Sequence, residues 1–379
     1  MVSNLKIAMF GQKRIPSREG GVEIVVEELA VRMAALGHDV TCYNRGGHHV
    51  SGAEFDAVAR KTYQGVRMKT VPTLDKKGLA AATSSFFAAL SCSFSNADVV
   101  HIHAEGPAFM CWLPKLFGKK VVVTVHGLDW QREKWKRGFG SRYIRAGEKM
   151  AVRFADEIIV LSRNVQIYFQ ETYGRDTVWI PNGVTRPEIA VPQQIRERFG
   201  LKKDDYFLFL GRLVPEKGIH YLLEAYREVN TGKKLVIAGG VSDSGEYADE
   251  LLAQTKGDDR VVFTGFVQGQ CLAELYSNAY LYVLPSDVEG MPLSLLEAMS
   301  YGNCCVVSDI PECTEVVEDK TVVFPRGNVA ALTAALQNLC NSPARVDAYK
   351  EISREYICKK YNWDDVVKKT IQLYRGENP

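Results

Sequence analysis

Short apolar runs alternate with amphipathic helical patterns along almost the whole chain, and this alternation constrains the fold more than any other feature. The runs are rich in Val and Ile at consecutive positions, which is typical of parallel strands that helices cover on both faces. The strands predicted in the first half are 5–10, 38–43, 66–71, 98–103, 120–125, 157–161 and 177–180. Those predicted in the second half are 206–210, 234–238, 261–264, 279–284, 304–307 and 321–324.

A polar, proline-bearing stretch from Pro181 to about residue 194 interrupts this alternation. Because the pattern then restarts, two doubly wound α/β domains in tandem fit better than one large sheet. A chain of 379 residues is long enough for two such domains. We therefore expect a first domain over 1–185, a second over 186–361, and a terminal helix over 362–379 that packs back on the first.

Composition narrows the class of protein. The net charge of +2 gives no global electrostatic case for nucleic-acid binding. The chain has no apolar run of about 18 residues and no signal-peptide pattern at its start, so we expect a cytoplasmic protein. Nine cysteines without a C-x-x-C pair favour reduced core thiols over a zinc site or a catalytic thiol.

Two glutamates flank a predicted helix start in the second half. Glu289 lies in the loop after the predicted strand 279–284, and Glu297 lies more than one turn inside the helix that begins near Pro292. Since that helix is apolar nearly all round, Glu297 is expected to point into a polar cleft. The first N–H groups of the helix, near Leu293 and Ser294, would form an anion site between the two carboxylates.

A basic loop follows the predicted strand 206–210. Arg212 can bind two oxygens of a phosphate at once, and Lys217 adds a point charge. A loop at the carboxyl end of a parallel strand is well placed to meet a ligand phosphate. Two fixed cations could stabilise a leaving diphosphate without a metal ion. No Asp-x-Asp loop motif and no G-x-G-x-x-G is present, which argues against a metal requirement and a dinucleotide oxidoreductase.

Together these motifs resemble family 4 of the retaining glycosyltransferases, whose GT-B fold has two Rossmann-like domains facing across a cleft. The resemblance covers nearly the whole chain. It rests on the segments 20–23, 126–127, 180–184, 211–218, 263–267, 289–297, 308–312 and 361–363. Residues 16–29 and 126–135 also resemble bacterial rhamnosyl and capsule-assembly transferases, while 310–315 departs from the Gly-Gly that the family often carries.

The resemblance implies a role for each site residue. In the second domain, Arg212 and Lys217 would bind the donor diphosphate, Glu297 the ribose, Glu289 the transferred sugar and the backbone near Val267 the nucleobase. In the first domain, Gly20 and Gly21 would let the backbone approach the β-phosphate, and His126 would sit near the reacting sugar. The catalytic set is then His126, Glu289, Arg212 and Lys217, with Gly20, Gly21, Val267, Leu293, Ser294 and Glu297 binding substrate and no metal or cofactor.

Alternatives stay open at three histidines, His126, His101 and His103. His126 follows a predicted strand, and either contacts substrate or is a structural histidine bonded to backbone. His101 and His103 alternate along a strand and are interpreted as mainly structural, with His103 near the acceptor as the alternative. His48 and His49 lack partners at metal-ligand spacing.

A basic segment over 130–153 carries eight Lys or Arg and two Glu between 131 and 153, with aromatic residues interleaved. It is either a solvated helix face or a surface for an anionic membrane. The partners expected are thus a nucleotide-sugar donor and a hydroxyl acceptor, lipid-linked if the membrane reading holds. The expected activity is retaining sugar transfer in surface polysaccharide or glycolipid synthesis; the alternatives are a nucleotide-sugar epimerase and a non-catalytic nucleotide-sugar-binding protein.

Overall fold

A computed structural model describes residues 4–18, 20–47, 61–74, 76, 79–132, 139–241 and 245–378. The chain divides into two compact units. The first unit comprises Met1–Gly183 with Trp363–Pro379, and the second comprises Val184–Asn362. None of the helices in these described ranges is both long and apolar enough to cross a membrane.

The first unit contains an eight-stranded sheet. Its strands lie in the order β3-β4-β2-β1-β5-β6-β7-β8, and only the β3–β4 pair is antiparallel. The strands are β1 (Lys6–Phe10), β2 (Asp39–Arg45), β3 (Thr62–Tyr63), β4 (Val66–Val71), β5 (Val99–His103), β6 (Lys120–Val125), β7 (Glu157–Val160) and β8 (Val178–Trp179).

Seven helices cover this sheet in the part of the chain that the structure describes. They are α1 (Gly21–Ala35), α2 (Leu79–Ser93), α3 (Glu105–Ala108), α4 (Trp112–Leu116), α5 (Phe139–Phe154), α6 (Arg163–Tyr173) and the terminal helix α15 (Trp363–Arg375). The helix α15 packs against α1. It buries one face, which includes Trp363, Ile371 and Tyr374.

The second unit contains a six-stranded, all-parallel sheet in the order β11-β10-β9-β12-β13-β14. Its strands are β9 (Tyr206–Leu210), β10 (Lys234–Ala238), β11 (Val261–Gly265), β12 (Leu281–Leu284), β13 (Cys305–Ser308) and β14 (Val322–Phe324). Its helices are α7 (Gln194–Phe199), α8 (Ile219–Glu228), α9 (Glu246–Gln254), α10 (Gly269–Asn278), α11 (Leu293–Ser300), α12 (Pro311–Val317), α13 (Val329–Cys340) and α14 (Pro343–Lys360).

The predicted α/β class is confirmed, because parallel strands alternate with helices in both units. The central strand β12 is buried at every position, which explains its unbroken apolar sequence. Residues near the ends of α6 also match the preferred caps of helices. Ser162 Oγ accepts a hydrogen bond from the Val165 N–H at 3.3 Å at its start, and Gly174 in the left-handed conformation ends it.

One predicted helix is wrong in extent. The pattern over 107–117 predicts a continuous helix, whereas the structure has the two short helices α3 and α4. Pro114 supplies the physical reason, because its ring would clash with the carbonyl of Met110 in a continuous helix and is tolerated only in a first turn. None of the nine cysteines forms a disulfide, and seven are buried.

Candidate functional site

The second sheet has a topological switch point between β9 and β12. Numbered along the unit, its strands lie in the order 3-2-1-4-5-6, and successive strands move outward in opposite directions from this pair. In such sheets a crevice opens at the carboxyl ends of the two strands, where ligands bind. The basic loop 211–218 follows β9, and the loop 285–292 follows β12. The two motifs that sequence analysis singled out thus leave the sheet at one place.

Close backbone contacts join these two loops. Gly218 has a left-handed φ of +66°, and a Cβ there would lie 2.0 Å from the carbonyl oxygen of Pro285. The Asp287 N–H donates to the carbonyl of Glu216 at 2.8 Å. Only glycine satisfies both the conformation and the spacing at position 218. The loops therefore form one supported structure.

An ion pair lies between the loops. Lys217 Nζ donates to Glu289 Oε1 at 2.6 Å, and the two side chains are 14% and 8% exposed. The Ser286 hydroxyl donates to the same oxygen at 2.7 Å. Ser308 at the end of β13 supports this turn, since its hydroxyl donates to the carbonyl of Ser286 at 2.6 Å. The family resemblance implies that Lys217 and Glu289 meet different parts of a ligand; the structure shows that they also form an ion pair with each other.

Glu297 is held by an aromatic pair that sequence analysis missed. The Tyr276 hydroxyl donates to Glu297 Oε2 at 3.0 Å, and the Tyr276 ring stacks on Tyr301 with centroids 5.2 Å apart. Burial and then the nearby Glu297 carboxylate raise the pKa of Tyr276, so this phenol stays a hydrogen-bond donor. The sequence gave no local signal for this partnership, because Tyr276 and Glu297 lie on different helices, 21 positions apart.

The helix α11 begins at this site. Its first internal hydrogen bonds run from the N–H groups of Leu295 and Leu296 to the carbonyl of Pro292, which leaves the preceding N–H groups of Leu293 and Ser294 outside the helical ladder. Pro292 is the N-cap with extended ψ, so α11 begins at Leu293, one position later than a helix that has Pro292 as its first residue. The Tyr282 hydroxyl donates to Ser294 Oγ at 2.8 Å and fixes that side chain.

Two further predicted residues lie at the same edge of the sheet. Arg212 is half-buried and comes two positions after the end of β9. Val267 is 8% exposed and follows β11 by two positions, beyond the left-handed Gly265. A Cβ on Gly239 would lie 1.8 Å from the carbonyl oxygen of Gly211, so the β9 and β10 ends also approach closely. The carboxyl edge of the second sheet therefore collects all the residues predicted for this unit.

The remaining predicted residues belong to the first unit. Gly21 is the first residue of α1, and Gly20 is its N-cap with an extended φ of −162° that any residue adopts. The φ at Gly20 therefore does not require glycine. The turn before the helix is supported by Glu23, whose Oε1 accepts from the Lys13 N–H at 2.8 Å.

His126 follows β6 and belongs to a buried row of histidines. Its Nε2 lies 3.1 Å from Nδ1 of His103, whose ring lies 4.1 Å from that of His101. His101 contacts the hydroxyls of Thr124 and Tyr374 at 2.7 and 2.6 Å. Burial lowers the pKa of His126 to about 3, with a further effect of Arg132, and burial likewise lowers that of His101 to about 3. These rings are neutral near pH 7. His48 and His49 lie outside the described residues.

The basic segment forms a defined surface where it is described. Arg142, Arg145, Lys149 and Arg153 are exposed along α5, at spacings of three or four residues that place them on one face. Arg145 also lies over the ring of Trp130 at 4.5 Å. Residues 133–138 of the segment lie outside the described residues.

Buried carboxyls anchor the opposite face of α5. Glu148 is 1% exposed and its Oε1 accepts from the Tyr168 hydroxyl at 2.9 Å. Glu105 is fully buried and its Oε2 accepts from the Asp129 N–H at 2.8 Å. Burial, followed by a hydrogen bond with Glu148, raises the pKa of Glu105 well above its ordinary value. The sequence gave no sign of this pair, because nothing local distinguishes a buried glutamate from an exposed one.

Known proteins resemble both halves of the chain. The family model described as "Glycosyltransferase Family 4" matches residues 19–186, and the one described as "Glycosyl transferases group 1" matches residues 192–356. An uncharacterized glycosyltransferase of Methanocaldococcus jannaschii is 25% identical over 394 residues, which span 98% of each chain. Glycogen synthase of Mycobacterium tuberculosis is 28% identical over 410 residues, covering 98% of this chain and 96% of the relative.

Solved structures share the fold. Anabaena HepE in complex with UDP-glucose superposes with a TM-score of 0.80 at 16% identity, over 98% of this chain and 100% of that one. The predicted GT-B architecture of two Rossmann-like domains is thereby confirmed. Because the two family models together match nearly the whole chain, the protein belongs to glycosyltransferase family 4 and is a glycosyltransferase.

Proposed function

We propose that this enzyme transfers a sugar from a nucleotide-diphosphate sugar to an acceptor hydroxyl, with retention of anomeric configuration and without a metal ion. The observation that carries the proposal is the convergence of Arg212, Lys217, Glu289 and Glu297 with the start of α11 at the switch point of the second sheet. A structure of HepE, which shares the fold, contains UDP-glucose, and this supports a nucleotide sugar as donor.

The donor groups have complementary partners at this site. Lys217 carries three N–H donors, and among the described residues it donates one to Glu289, so others can meet phosphate oxygens. Arg212 can bind two phosphate oxygens, and the N–H groups at the start of α11 add a further anion-binding element. The carboxylate of Glu297 can accept hydrogen bonds from ribose hydroxyls while Tyr276 holds it in place.

In the proposed reaction, the bond between the sugar C1 and the β-phosphate oxygen breaks, and a bond forms between C1 and the acceptor oxygen. The acceptor proton leaves to an oxygen of the departing diphosphate. The cations and the helix start stabilise the negative charge that develops on that diphosphate. Glu289 would contact hydroxyls of the transferred sugar. For His126 and for the Gly20-Gly21 backbone, the resemblance supports contacts with the sugar and the β-phosphate.

A thermal-shift screen of nucleoside diphosphates and nucleotide sugars, with and without EDTA, tests donor binding. A ligand at 100 times its Kd should stabilise the protein by about 2.7 kcal/mol. We expect one nucleotide class to stabilise the wild type regardless of EDTA, with a smaller shift in Glu297→Ala. Glu228→Ala, an exposed position on α8, is the matched control. No shift with any nucleotide, or a shift that EDTA abolishes, would contradict the proposed donor site.

Product analysis separates transfer from its alternatives. An epimerase would convert the donor without an acceptor, and a non-catalytic binding protein would bind the donor without turnover. We expect release of the nucleoside diphosphate to depend on an acceptor hydroxyl. Analysis of the product by NMR would then show the anomeric configuration of the donor retained.

The acceptor is proposed to be carried on a lipid in surface polysaccharide or glycolipid synthesis. The supporting observation is the exposed cationic face of α5, formed by Arg142, Arg145, Lys149 and Arg153. Each such charge near an anionic bilayer contributes about 1 kcal/mol. We expect sedimentation with phosphatidylglycerol vesicles but not with phosphatidylcholine vesicles, and its loss when all four residues are changed to Gln. Equal sedimentation of the quadruple variant would contradict this surface.

A further inference from the structure

The contact between His103 and His126 has a defined geometry that constrains both rings. Strands β5 and β6 are adjacent and parallel, with His103 paired to Thr124, so His126 lies two positions beyond the partner of His103. His103 Nδ1 and His126 Nε2 are 3.1 Å apart, within hydrogen-bond distance. His103 is fully buried, and His126 is 8% exposed. One ring must therefore donate a hydrogen bond through its N–H to the bare nitrogen of the other.

Both rings are neutral near pH 7. Burial lowers the pKa of His103 well below its usual range, and the neighbouring histidines lower it further. The pKa of His126 falls in the same direction, as described above. A neutral imidazole carries one N–H and one bare nitrogen, so the contact has only two arrangements.

The remaining nitrogen of His103 decides between these arrangements. Its Nε2 is buried and has no hydrogen-bond partner among the described residues. If His126 donated, the proton of His103 would lie on this Nε2 as a buried donor without an acceptor. Buried N–H groups without a partner are rarer in proteins than incompletely satisfied acceptors. The arrangement in which His103 Nδ1–H donates leaves only a bare lone pair at that position.

We propose that His103 is a positioning residue, whose Nδ1–H donates to Nε2 of His126 and so fixes the proton of His126 on Nδ1. His126 Nδ1 has no hydrogen-bond partner among the described residues. The fixed tautomer turns it into a donor for a sugar oxygen. This role rests on the proposed function, in which His126 contacts the transferred sugar.

The tautomer can be read directly in the folded wild-type protein. Two-bond ¹H–¹⁵N correlation spectra of histidine-labelled protein distinguish Nδ1–H from Nε2–H, and the signals of His126 are assigned by their loss in His126→Gln. We expect His126 to carry its proton on Nδ1. A proton on Nε2 of His126 would overturn the inference whatever the activity.

Two variants of His103 test the positioning role. His103→Asn places an amide N–H where Nδ1–H lies, whereas His103→Leu has no donor. We expect the Asn variant to keep the His126 tautomer and most of the transfer rate. In the Leu variant, kcat should fall about tenfold, a loss of about 1.4 kcal/mol in transition-state stabilisation, with little change in the donor KM. Should His103→Leu fail to fold, the Asn variant and the wild-type spectrum still decide the matter.

The matched control is Tyr374→Phe. Its hydroxyl contacts Nδ1 of the neighbouring His101 at 2.6 Å and is equally buried, yet it makes no contact with His126. We expect this variant to leave the His126 tautomer and the transfer rate unchanged; a changed tautomer would overturn the specific role of His103. Wild-type transfer by His126→Gln would overturn the sugar contact and the positioning role together, whereas donor binding in the nucleotide screen would be unaffected.

Discussion

At the scale of single residues, the side chains of the second unit that are proposed to bind the donor are held by hydrogen bonds to neighbouring side chains. Lys217 is paired with Glu289, and Glu297 with Tyr276. Each pair fixes the direction of a flexible side chain before a ligand arrives. Such preorganisation reduces the entropy that binding would otherwise cost. Removing such a partner should therefore reduce ligand affinity even where it has only a small effect on the free energy of unfolding.

Tyr276→Phe tests this separation. The variant loses the hydrogen bond to Glu297, so we expect the free energy of unfolding to fall by about 1 kcal/mol and nucleotide affinity to fall about three- to tenfold. Tyr280→Phe is the control, because its buried hydroxyl donates to the carbonyl of Leu339 at 2.9 Å, away from Glu297. Urea unfolding and calorimetric titration measure the two quantities. An equal loss of affinity in both variants would contradict the assignment of Glu297.

Glu105 predicts a dependence of stability on pH. Its pKa in the folded state is raised above the ordinary 4.5, chiefly by burial, so the folded state binds the proton more tightly than the unfolded chain does. The wild type should therefore lose stability as pH rises above about 4.5, while Glu105→Gln, which cannot ionise, should not show this loss. Urea unfolding at pH 5 and pH 8 should show the variant gaining relative to the wild type at pH 8.

Glu171→Gln, an exposed substitution on α6, controls for the charge change in that experiment. It should follow the wild type at both pH values. If Glu105→Gln and Glu171→Gln respond to pH alike, the buried carboxyl is not the source of the effect.

At the scale of elements, the site depends on strand ends that are brought together by glycine. The β9 loop crosses the β12 loop where Gly218 meets Pro285, and the β9 and β10 ends meet at Gly239. Side chains at these crossings would separate the loops that carry Lys217 and Glu289. The order of the strands determines where the site lies, and the glycines allow the loops that carry it to approach closely.

Gly218→Ala should destabilise the protein more than Gly200→Ala. Both glycines have a left-handed φ, +66° and +63°, but a Cβ on Gly200 meets nothing within 4 Å, whereas one on Gly218 would lie 2.0 Å from Pro285 O. We expect a loss of about 1 kcal/mol for Gly200→Ala from conformation alone, and at least about twice that for Gly218→Ala. Thermal unfolding compares them; equal losses would show that the loops relax freely.

At the scale of the whole molecule, the last helix of the chain returns to the first unit. The helix α15 follows the second unit in sequence but buries Trp363, Val366, Val367, Ile371, Leu373 and Tyr374 in the first. A Cβ on Gly183 would lie 2.7 Å from the backbone nitrogen of Trp363, so the last residue of the first segment of this unit is in close contact with the first residue of α15. The first unit is therefore built from both ends of the sequence.

Truncation after Asn362 should unfold the first unit. Each large apolar side chain buried on folding contributes about 1.5–3 kcal/mol, so losing six of them removes at least as much as the roughly 5–15 kcal/mol that typically stabilises a domain. We expect hydrogen exchange to show lost protection across β1 and β5, with protection of β9 and β12 retained. Truncation after Arg375, which removes the exposed residues 376–378 together with Pro379, is the control. Retained protection of β1 would contradict the role of α15.

Much of the fold was predictable because strands and helices can be identified from local sequence patterns. The predicted ranges 120–125, 206–210 and 234–238 coincide with β6, β9 and β10, whose sequences are mostly apolar because both faces of a parallel sheet are covered. The range 66–71 coincides with β4, although that strand is fully buried only at Val66 and Val71. The failure over 107–117 arose where an apolar helical pattern contained a proline, whose backbone constraint outweighs periodicity. Roles assigned through the family resemblance remain predictions until the variants are measured.

The sequence by local pattern established the α/β class, the tandem organisation and the strand-end positions of Arg212, Lys217 and Glu289. Only the tertiary structure decided which distant side chains lie next to one another: Tyr276 beside Glu297, His103 beside His126, and Glu105 beside Glu148. The physical reason is that these partners are 21, 23 and 43 positions apart, on elements that periodicity identifies but does not place side by side. Hydrophobic patterning is a local property of the sequence, whereas a hydrogen bond between distant residues forms only once the folded sheets have brought their elements together.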